Sequence, residues 1–95
     1  MKSKPSKNVF KDLGFTAEEA DNLRIRSALM IEITEHIRQA ELTQKAAAQL
    51  LGVAQPRISD ITRGRIEVFS IDTLIAMLSR LGVKTSIRVG KRNVA

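Results

Sequence analysis

The residues that could do chemistry are concentrated in one short stretch, from Gln55 to Arg63 (QPRISDITR). An amide, two guanidinium groups, two hydroxyls and a carboxylate lie within it, and isoleucines separate them. These groups donate and accept hydrogen bonds, but none stands at a recognisable spacing from a base that would make it a nucleophile. The stretch therefore predicts recognition of a polar partner rather than covalent catalysis.

Catalysis is not expected from the rest of the chain either. The sequence has no cysteine and no tyrosine, and His36 is its one histidine. With no metal-ligand partner nearby, His36 is interpreted as an ordinary surface or half-buried residue. No glycine-rich phosphate loop follows a strand, and helix capping explains the adjacent carboxylates of Glu18 and Glu19. We expect no enzyme activity, no cofactor and no metal site.

Two short helices joined by a tight turn must position the polar stretch. Thr43 is a good N-cap for the first helix, which runs over residues 44–51. Gly52 ends this helix, because glycine readily adopts the positive φ of a helix end. A second helix begins two residues later with Pro56 in its first turn, and it stops at Gly64. The pattern predicts a helix-turn-helix over residues 43–64.

The spacing of small and branched residues predicts how these helices pack. Ala48 allows two backbones to approach, while Ile58 and Ile61 lie three apart on one face of the second helix. Leu51 and Val53 close the apolar corner. An outward polar face is then left, as a helix that reads the DNA major groove requires: Gln55, Arg57, Ser59, Asp60 and Arg63. The alternative is an ordinary pair of antiparallel helices with a solvated face.

The outward side chains have definite partners on duplex DNA. Gln55 could read adenine or hold a phosphate, and Arg57 could take guanine or a phosphate. Asp60 could accept from cytosine N4 or hold Arg57, and Ser59 lies beside it. A solvated surface charge is the alternative for each arginine. Phosphate contacts are predicted at both ends of the unit, from Gln44, Lys45, Arg63 and Arg65.

Length, composition and charge fit one small DNA-binding domain. The chain has 95 residues, 43% of them hydrophobic, which predicts a single globular unit. Its net charge of +6 favours a polyanionic partner. The charge is uneven: residues 1–11 carry four lysines and no acid, whereas residues 12–40 carry six acids against three arginines. This distribution predicts a groove-facing basic surface with an acidic back.

The absence of cysteine fits a reducing cytoplasm. No apolar run approaches the ~20 residues that a spanning helix needs, and the lysine-rich N-terminus lacks the apolar core of a signal peptide. We therefore expect a cytoplasmic protein.

The flanking segments predict three further features. Residues 1–15 are interpreted as a flexible basic arm with a short apolar patch, and residues 16–95 as the DNA-binding domain. The arm is either a solvated tail or a contact to phosphate or protein.

Thr16 and Glu19 form a capping box that opens a long helix to about residue 40. Ser70 caps a last helix, Ile71 to about Leu81. Inward positions are predicted on the long helix at Leu29, Ile33, Ile37 and Ala40, and on the last helix at Leu74, Ile75, Leu78 and Leu81.

At residues 83–89 (VKTSIRV) the apolar residues no longer follow the helical repeat. Apolar and polar residues alternate, as in a half-buried β-strand, with Val83, Thr85, Ile87 and Val89 on one face. A lone strand leaves its backbone groups unpaired. We therefore predict antiparallel pairing with the same strand of a second copy across a two-fold axis.

The run LTQKAAAQLLGVAQPRISDITRG resembles the Xre/Cro-type helix-turn-helix shared with lambdoid phage repressors. More closely, residues 8–90 resemble compact HigA-like antitoxins, through NVFKDLGF, the capped long helix, FSIDTL, and LGV with the VKTSIRV strand. The resemblance implies an all-α, lambda-repressor-like domain of four to five helices with the short C-terminal β-strand. It also implies a homodimer that represses its own operon on the bacterial nucleoid, and a toxin partner of the RelE/HigB mRNA-interferase type.

The resemblance assigns residues as well. The family's base-reading positions fall on Gln55, Pro56, Arg57, Ser59 and Asp60, and its phosphate positions on Gln44, Lys45 and Arg63. Pro56 departs from the phage repressors, which carry a polar residue there. Two main hypotheses follow: a repressor that acts alone on a palindromic operator, or an antitoxin that also binds a small basic toxin. The acidic residues of the long helix are the candidate toxin contacts: Glu18, Glu19, Asp21, Glu32 and Glu35. A scaffold module without nucleic acid is a distant third.

Overall fold

The computed structural model describes residues 9–92, with only the backbone of Val9. Within this part of the chain all regular structure is helical. The helices are α1 (Val9–Asp12), α2 (Ala17–Gln39), α3 (Gln44–Leu51), α4 (Gln55–Thr62) and α5 (Ile71–Arg80), with one 3-10 turn at Ile66–Val68 between α4 and α5. The prediction of an all-helical domain of four to five helices is confirmed for residues 9–92.

Side-chain caps start three of these helices where the sequence predicts them. Thr16 Oγ1 accepts a hydrogen bond from the Glu19 N–H at 3.1 Å, and Glu19 Oε1 accepts one from the Thr16 N–H at 2.9 Å. Thr43 caps α3 through the Ala46 N–H, and Ser70 caps α5 through the Thr73 N–H. Each cap satisfies an amide that has no partner within its own helix.

The core lies between α2 and the four elements that follow it. Its fully buried large side chains are Ile33, Leu51, Ile58, Ile61, Leu74 and Met77. On α5, Leu74 and Leu78 are buried as predicted, whereas Ile75 and Leu81 are only partly buried. On α2, Ile33 and Ile37 are buried as predicted.

Two residues in or next to α2 differ from the predicted inward positions. Met30, which is not among the predicted inward positions, is buried, because it lies one turn before Ile33 on the core side. Ala40 is exposed, since α2 ends at Gln39 and the chain turns away through Glu41 at a φ of 55°. Leu29 is half-buried at the edge of the core.

The predicted strand at 83–89 is not supported in the single chain. Residues 83–92 carry no assigned secondary structure. A strand needs a hydrogen-bonded neighbour, and within residues 9–92 no second extended segment pairs with this one. Val83 packs against the edge of the core and Thr85 is half-buried, whereas Ile87 and Val89 are 78% and 86% exposed.

The N-terminal patch forms a helix that the sequence analysis did not predict. α1 packs on α2, and the rings of Phe10 and Phe15 meet edge to face with centroids 6.3 Å apart. Leu13 remains exposed. The predicted basic arm over residues 1–8 lies outside the described residues, so its boundary at residue 15 stays a prediction.

None of the helices within residues 9–92 combines the length and the apolar content that crossing a membrane requires.

Candidate nucleic-acid interface

The turn between α3 and α4 is built as predicted. Gly52 ends α3 in the left-handed region, at φ 72° and ψ 34°, and its N–H bonds back to the Ala48 carbonyl. The Val53 N–H reaches the same carbonyl at 3.0 Å. A side chain at position 52 would be strained at this φ, which is why glycine suits the corner. Ala48 is buried, in keeping with close approach of the two helices.

Two isoleucines set the orientation of α4. Ile58 and Ile61 are 1% and 2% exposed, so the face of α4 that carries them is sealed in the core. The residues on the other side of the helix are the predicted base-reading set, here called the reading face: Gln55, Pro56, Arg57, Ser59 and Asp60. Gln55, Pro56 and Arg57 are exposed, while Ser59 and Asp60 are half-buried. The predicted inward position of Ile58 and Ile61 is confirmed, and the base-reading role of the outer residues stays a prediction.

The start of α4 has no side-chain cap. Ala54 occupies the N-cap and contributes no side-chain hydrogen bond, and Pro56 lies in the first turn. The partial positive charge at a helix N-terminus attracts anions. This end of α4 is therefore suited to the negative potential of a DNA groove.

Arg57 is held in a definite position on the reading face. Its Nη1 donates to Asp60 Oδ2 at 3.3 Å, one turn along the helix. The guanidinium carbon also lies 6.0 Å from the centroid of the Phe69 ring, within the range of a cation–π contact. Of the two roles considered for Asp60, holding Arg57 is the one present in the free protein.

Gln44 joins the two helices at the edge of the reading face. Its Nε2 donates to Ser59 Oγ at 3.3 Å, across 15 residues of sequence. Lys45 is exposed beside it at the start of α3. The structure thus brings two predicted phosphate residues next to a predicted base-reading residue, as a surface that follows one stretch of DNA requires.

The far end of α4 carries the other predicted phosphate residues. Arg63 is the C-cap of α4, and both Arg63 and Arg65 are exposed. Arg65 Nε lies 3.5 Å from Glu67 Oε2. This carboxylate competes with a phosphate for Arg65, so Arg63 is the better placed of the two.

The predicted acidic surface is not fully separated from the candidate DNA-binding surface. Glu35 of α2 lines an open cleft together with Thr62 and Arg63, at the C-terminal end of α4. A hydrogen bond from the exposed Arg38 guanidinium to Glu35 lowers the pKa of that carboxyl and raises the pKa of Arg38. Glu35 therefore places a carboxylate at the cleft that Arg63 also lines.

Arg26 was not predicted as a functional residue, although it binds the backbone of the segment that follows α4. Arg26 Nη1 donates to the backbone carbonyls of Ile66 and Phe69, at 3.1 and 3.2 Å, and its Nε donates to Asn22 Oδ1 at 2.7 Å. These contacts tie the segment that follows α4 to α2. The carbonyls lie 40 and 43 residues further along the chain, so no local pattern around Arg26 announces the contact.

Comparisons with known proteins agree with this geometry. The sequence profile of a helix-turn-helix domain family matches residues 9–90. An uncharacterized HTH-type transcriptional regulator of Haemophilus influenzae is 34% identical over 80 residues, which are 84% of this chain and 81% of that protein. A solved structure described as a transcriptional regulator of the XRE family superposes with a TM-score of 0.74 at 30% identity, over 81% of this chain and 91% of that one. The chain therefore belongs to the helix-turn-helix domain family, as an Xre-type transcriptional regulator.

Proposed function

We propose that this protein is a sequence-specific repressor that acts as a homodimer on a palindromic duplex DNA site. One observation carries the proposal: Ile58 and Ile61 are sealed in the core, and their burial turns Gln55 and Arg57 outward on α4. A helix held in this way can enter the major groove while the first helix of the pair meets the backbone. The protein acts by binding alone, without a catalytic step.

Each side chain of the interface has a proposed role. Gln55 and Arg57 contact base edges, adenine and guanine being the bases that suit their donors and acceptors. Ser59 and Asp60 lie one turn on and orient their neighbours, and Pro56 offers an apolar surface. The proposed phosphate contacts come from Gln44, Lys45, Arg63 and Arg65, which together bracket the reading face.

The dimer is proposed to form through residues 83–89. Ile87 and Val89 are exposed on a segment without assigned secondary structure. Two copies aligned antiparallel would pair their backbone groups and bury the face of Val83, Thr85, Ile87 and Val89. Light scattering should then give twice the 10.5 kDa mass of one chain. A proline at Ile87 should return the protein to a monomer, whereas threonine there should not.

The DNA proposal is tested by selecting bound fragments from a random pool. The expected result is a motif with two-fold symmetry whose half-sites lie about 34 Å apart, one turn of the duplex. Arg57→Ala should lose one base preference from this motif. Arg24→Ala is the control. Arg24 is exposed on α2 two residues before Arg26, so it lies on roughly the opposite side of the helix from the contact with the segment that follows α4. A pool with no enriched sequence, together with no duplex binding at low salt, would favour a scaffold module instead.

We further propose that the repressor is the antitoxin of a toxin–antitoxin operon. The support is the set of acidic side chains of α2, of which all but the half-buried Glu35 are exposed: Glu18, Glu19, Asp21, Glu32 and Glu35. Such a set of charges suits a small basic partner. A basic, toxin-sized reading frame that overlaps the gene, and co-purification of its product with this chain, are the expected results. A gene with no such neighbour would favour the regulator that acts alone.

A further inference from the structure

Phe69 lies directly behind the reading face and cannot touch DNA itself. Its side chain is 3% exposed and belongs to the core. Its ring is nevertheless the aromatic surface beside Arg57, at 6.0 Å from the guanidinium carbon. Asp60 binds the same guanidinium through Nη1. Arg57 is therefore restrained from two sides, by a charge on its own helix and by a ring that follows α4 in the chain.

The position of Phe69 is itself fixed from α2. Arg26 donates to the carbonyl of Phe69 and to that of Ile66, at the two ends of the 3-10 segment. Asn22 accepts from Arg26 Nε and so aims the guanidinium. Because Nε and Nη1 are two donors of one planar group, Arg26 binds Asn22 and the two carbonyls at once, which a lysine ammonium does less well. The result is a chain of contacts from α2, through the backbone at Phe69 and its ring, to Arg57.

We propose that Phe69 is a positioning residue for DNA specificity, which holds the Arg57 guanidinium in place for the base that it reads. This inference rests on the proposed role of Arg57 as a base-reading residue. Arginine has many rotamers, and a side chain already held in its bound position loses less freedom when the complex forms. This smaller loss of freedom strengthens binding only to DNA sequences that present the matching base where the Arg57 guanidinium is held. Phe69 should therefore raise discrimination between sites rather than affinity for DNA in general.

The test measures discrimination in a double-mutant cycle of Phe69→Leu and Arg57→Ala. Dissociation constants are compared for the selected site and for single-base variants at the position where Arg57→Ala relaxes the preference. Phe69→Leu alone should reduce the discrimination at that position by about two- to fivefold, the range of an exposed cation–π contact. In the Arg57→Ala background it should change nothing further.

A control variant separates positioning from stability. Leu78→Ala also removes a buried side chain of the core, but from α5. At a temperature at which circular dichroism shows every variant folded, Leu78→Ala should leave the discrimination unchanged. If Phe69→Leu weakens binding to all sequences equally, or adds its full effect to Arg57→Ala, the inference is overturned while the role of Arg57 stands. If Arg57→Ala itself changes no base preference, the proposed function of Arg57 fails and the inference falls with it.

A measurement on the free protein tests the same contact without DNA. Nitrogen-15 relaxation of the Arg57 Nε–H reports motion on the picosecond to nanosecond scale. Phe69→Leu should lower the order parameter of this group, and Leu78→Ala should not. An unchanged order parameter in Phe69→Leu would show that the ring does not hold Arg57.

Discussion

Arg80 of α5 donates from Nε to the backbone carbonyl of Leu50 at 3.2 Å, and its guanidinium covers the turn between α3 and α4. A Cβ built on Gly52 would lie 3.0 Å from Arg80 Cζ. The left-handed backbone favours glycine at this corner, and a Cβ there would also have to displace the flexible, exposed end of Arg80. The relationship also shows that α5, which carries no reading residue, helps to fix the turn that orients α4.

Gly52→Ala should destabilise the protein through both effects. The left-handed backbone costs an alanine about 1–2 kcal/mol, and Arg80 would have to move and give up its bond to Leu50. Gly82→Ala is the matched control, because Gly82 has a similar φ of 82° and nothing within 4 Å of its built Cβ. Chemical denaturation should show the larger loss at Gly52, with the excess absent in an Arg80→Ala background. Equal losses at the two glycines would contradict the role of Arg80.

Thr16→Ala should cost about 1 kcal/mol of unfolding free energy. The change removes the bond from the Glu19 N–H to the Thr16 hydroxyl, whereas the backbone N–H of residue 16 can still donate to Glu19 Oε1. Thermal melting followed by circular dichroism at 222 nm measures the effect. Ser79→Ala removes an exposed hydroxyl of α5 and should be nearly neutral; a comparable loss there would argue against capping as the cause.

Ile61→Ala and Arg57→Ala together should separate the effect of lost core packing from the effect of a lost side chain on the reading face. The loss of a fully buried branched side chain costs about 2–5 kcal/mol, and Ile61 is 2% exposed. Arg57→Ala should change stability by less than about 1 kcal/mol, because its ion pair with Asp60 lies at the surface. Urea denaturation gives both values. A large loss of stability in Arg57→Ala would mean that its effect on DNA binding could not be assigned to base reading.

The salt dependence of DNA binding should report the phosphate contacts. Each lost contact lowers the slope of log affinity against log salt by about 1. Lys45→Ala and Arg63→Ala should each produce such a drop and weaken binding to all sequences alike. Fluorescence anisotropy titrations at several salt concentrations measure the slope, with Arg24→Ala as the control. A slope that Lys45→Ala leaves unchanged would remove Lys45 from the interface.

The Glu35–Arg38 pair should make a small contribution to stability that depends on pH. The hydrogen bond from Arg38 lowers the pKa of Glu35 below its ordinary value of 4.5. A carboxyl with a lowered pKa stabilises the folded state above its unfolded-state pKa, and this stabilisation is lost as the pH falls through the lower folded value. Glu35→Gln should therefore flatten the acid limb of the stability curve slightly, because solvent screens the pair. Denaturation of both proteins at pH values from neutral to acid measures the difference; coincident curves would show that the pair adds nothing.

The sequence by itself determined the features that depend on neighbouring residues. The caps at Thr16, Thr43 and Ser70, the glycine turn and the inward isoleucines of α4 were all predicted, since a cap or a helix face involves residues at most a few positions apart. The Xre-type family was predicted from the resemblance of the run LTQKAAAQLLGVAQPRISDITRG to that family. The short α1 was missed because four residues are too few to show a helical period.

Tertiary structure alone decided how the reading face is supported. The contacts from Gln44 to Ser59, from Arg80 to Leu50, and from Arg26 to the Phe69 carbonyl join residues 15, 30 and 43 positions apart. Only the packing of α2 and α5 against α3 and α4 brings these atoms within hydrogen-bonding distance, and no local pattern encodes that packing. Residues 83–89 alternate as a strand does, but a strand needs a hydrogen-bonded neighbour, and within residues 9–92 no segment pairs with them.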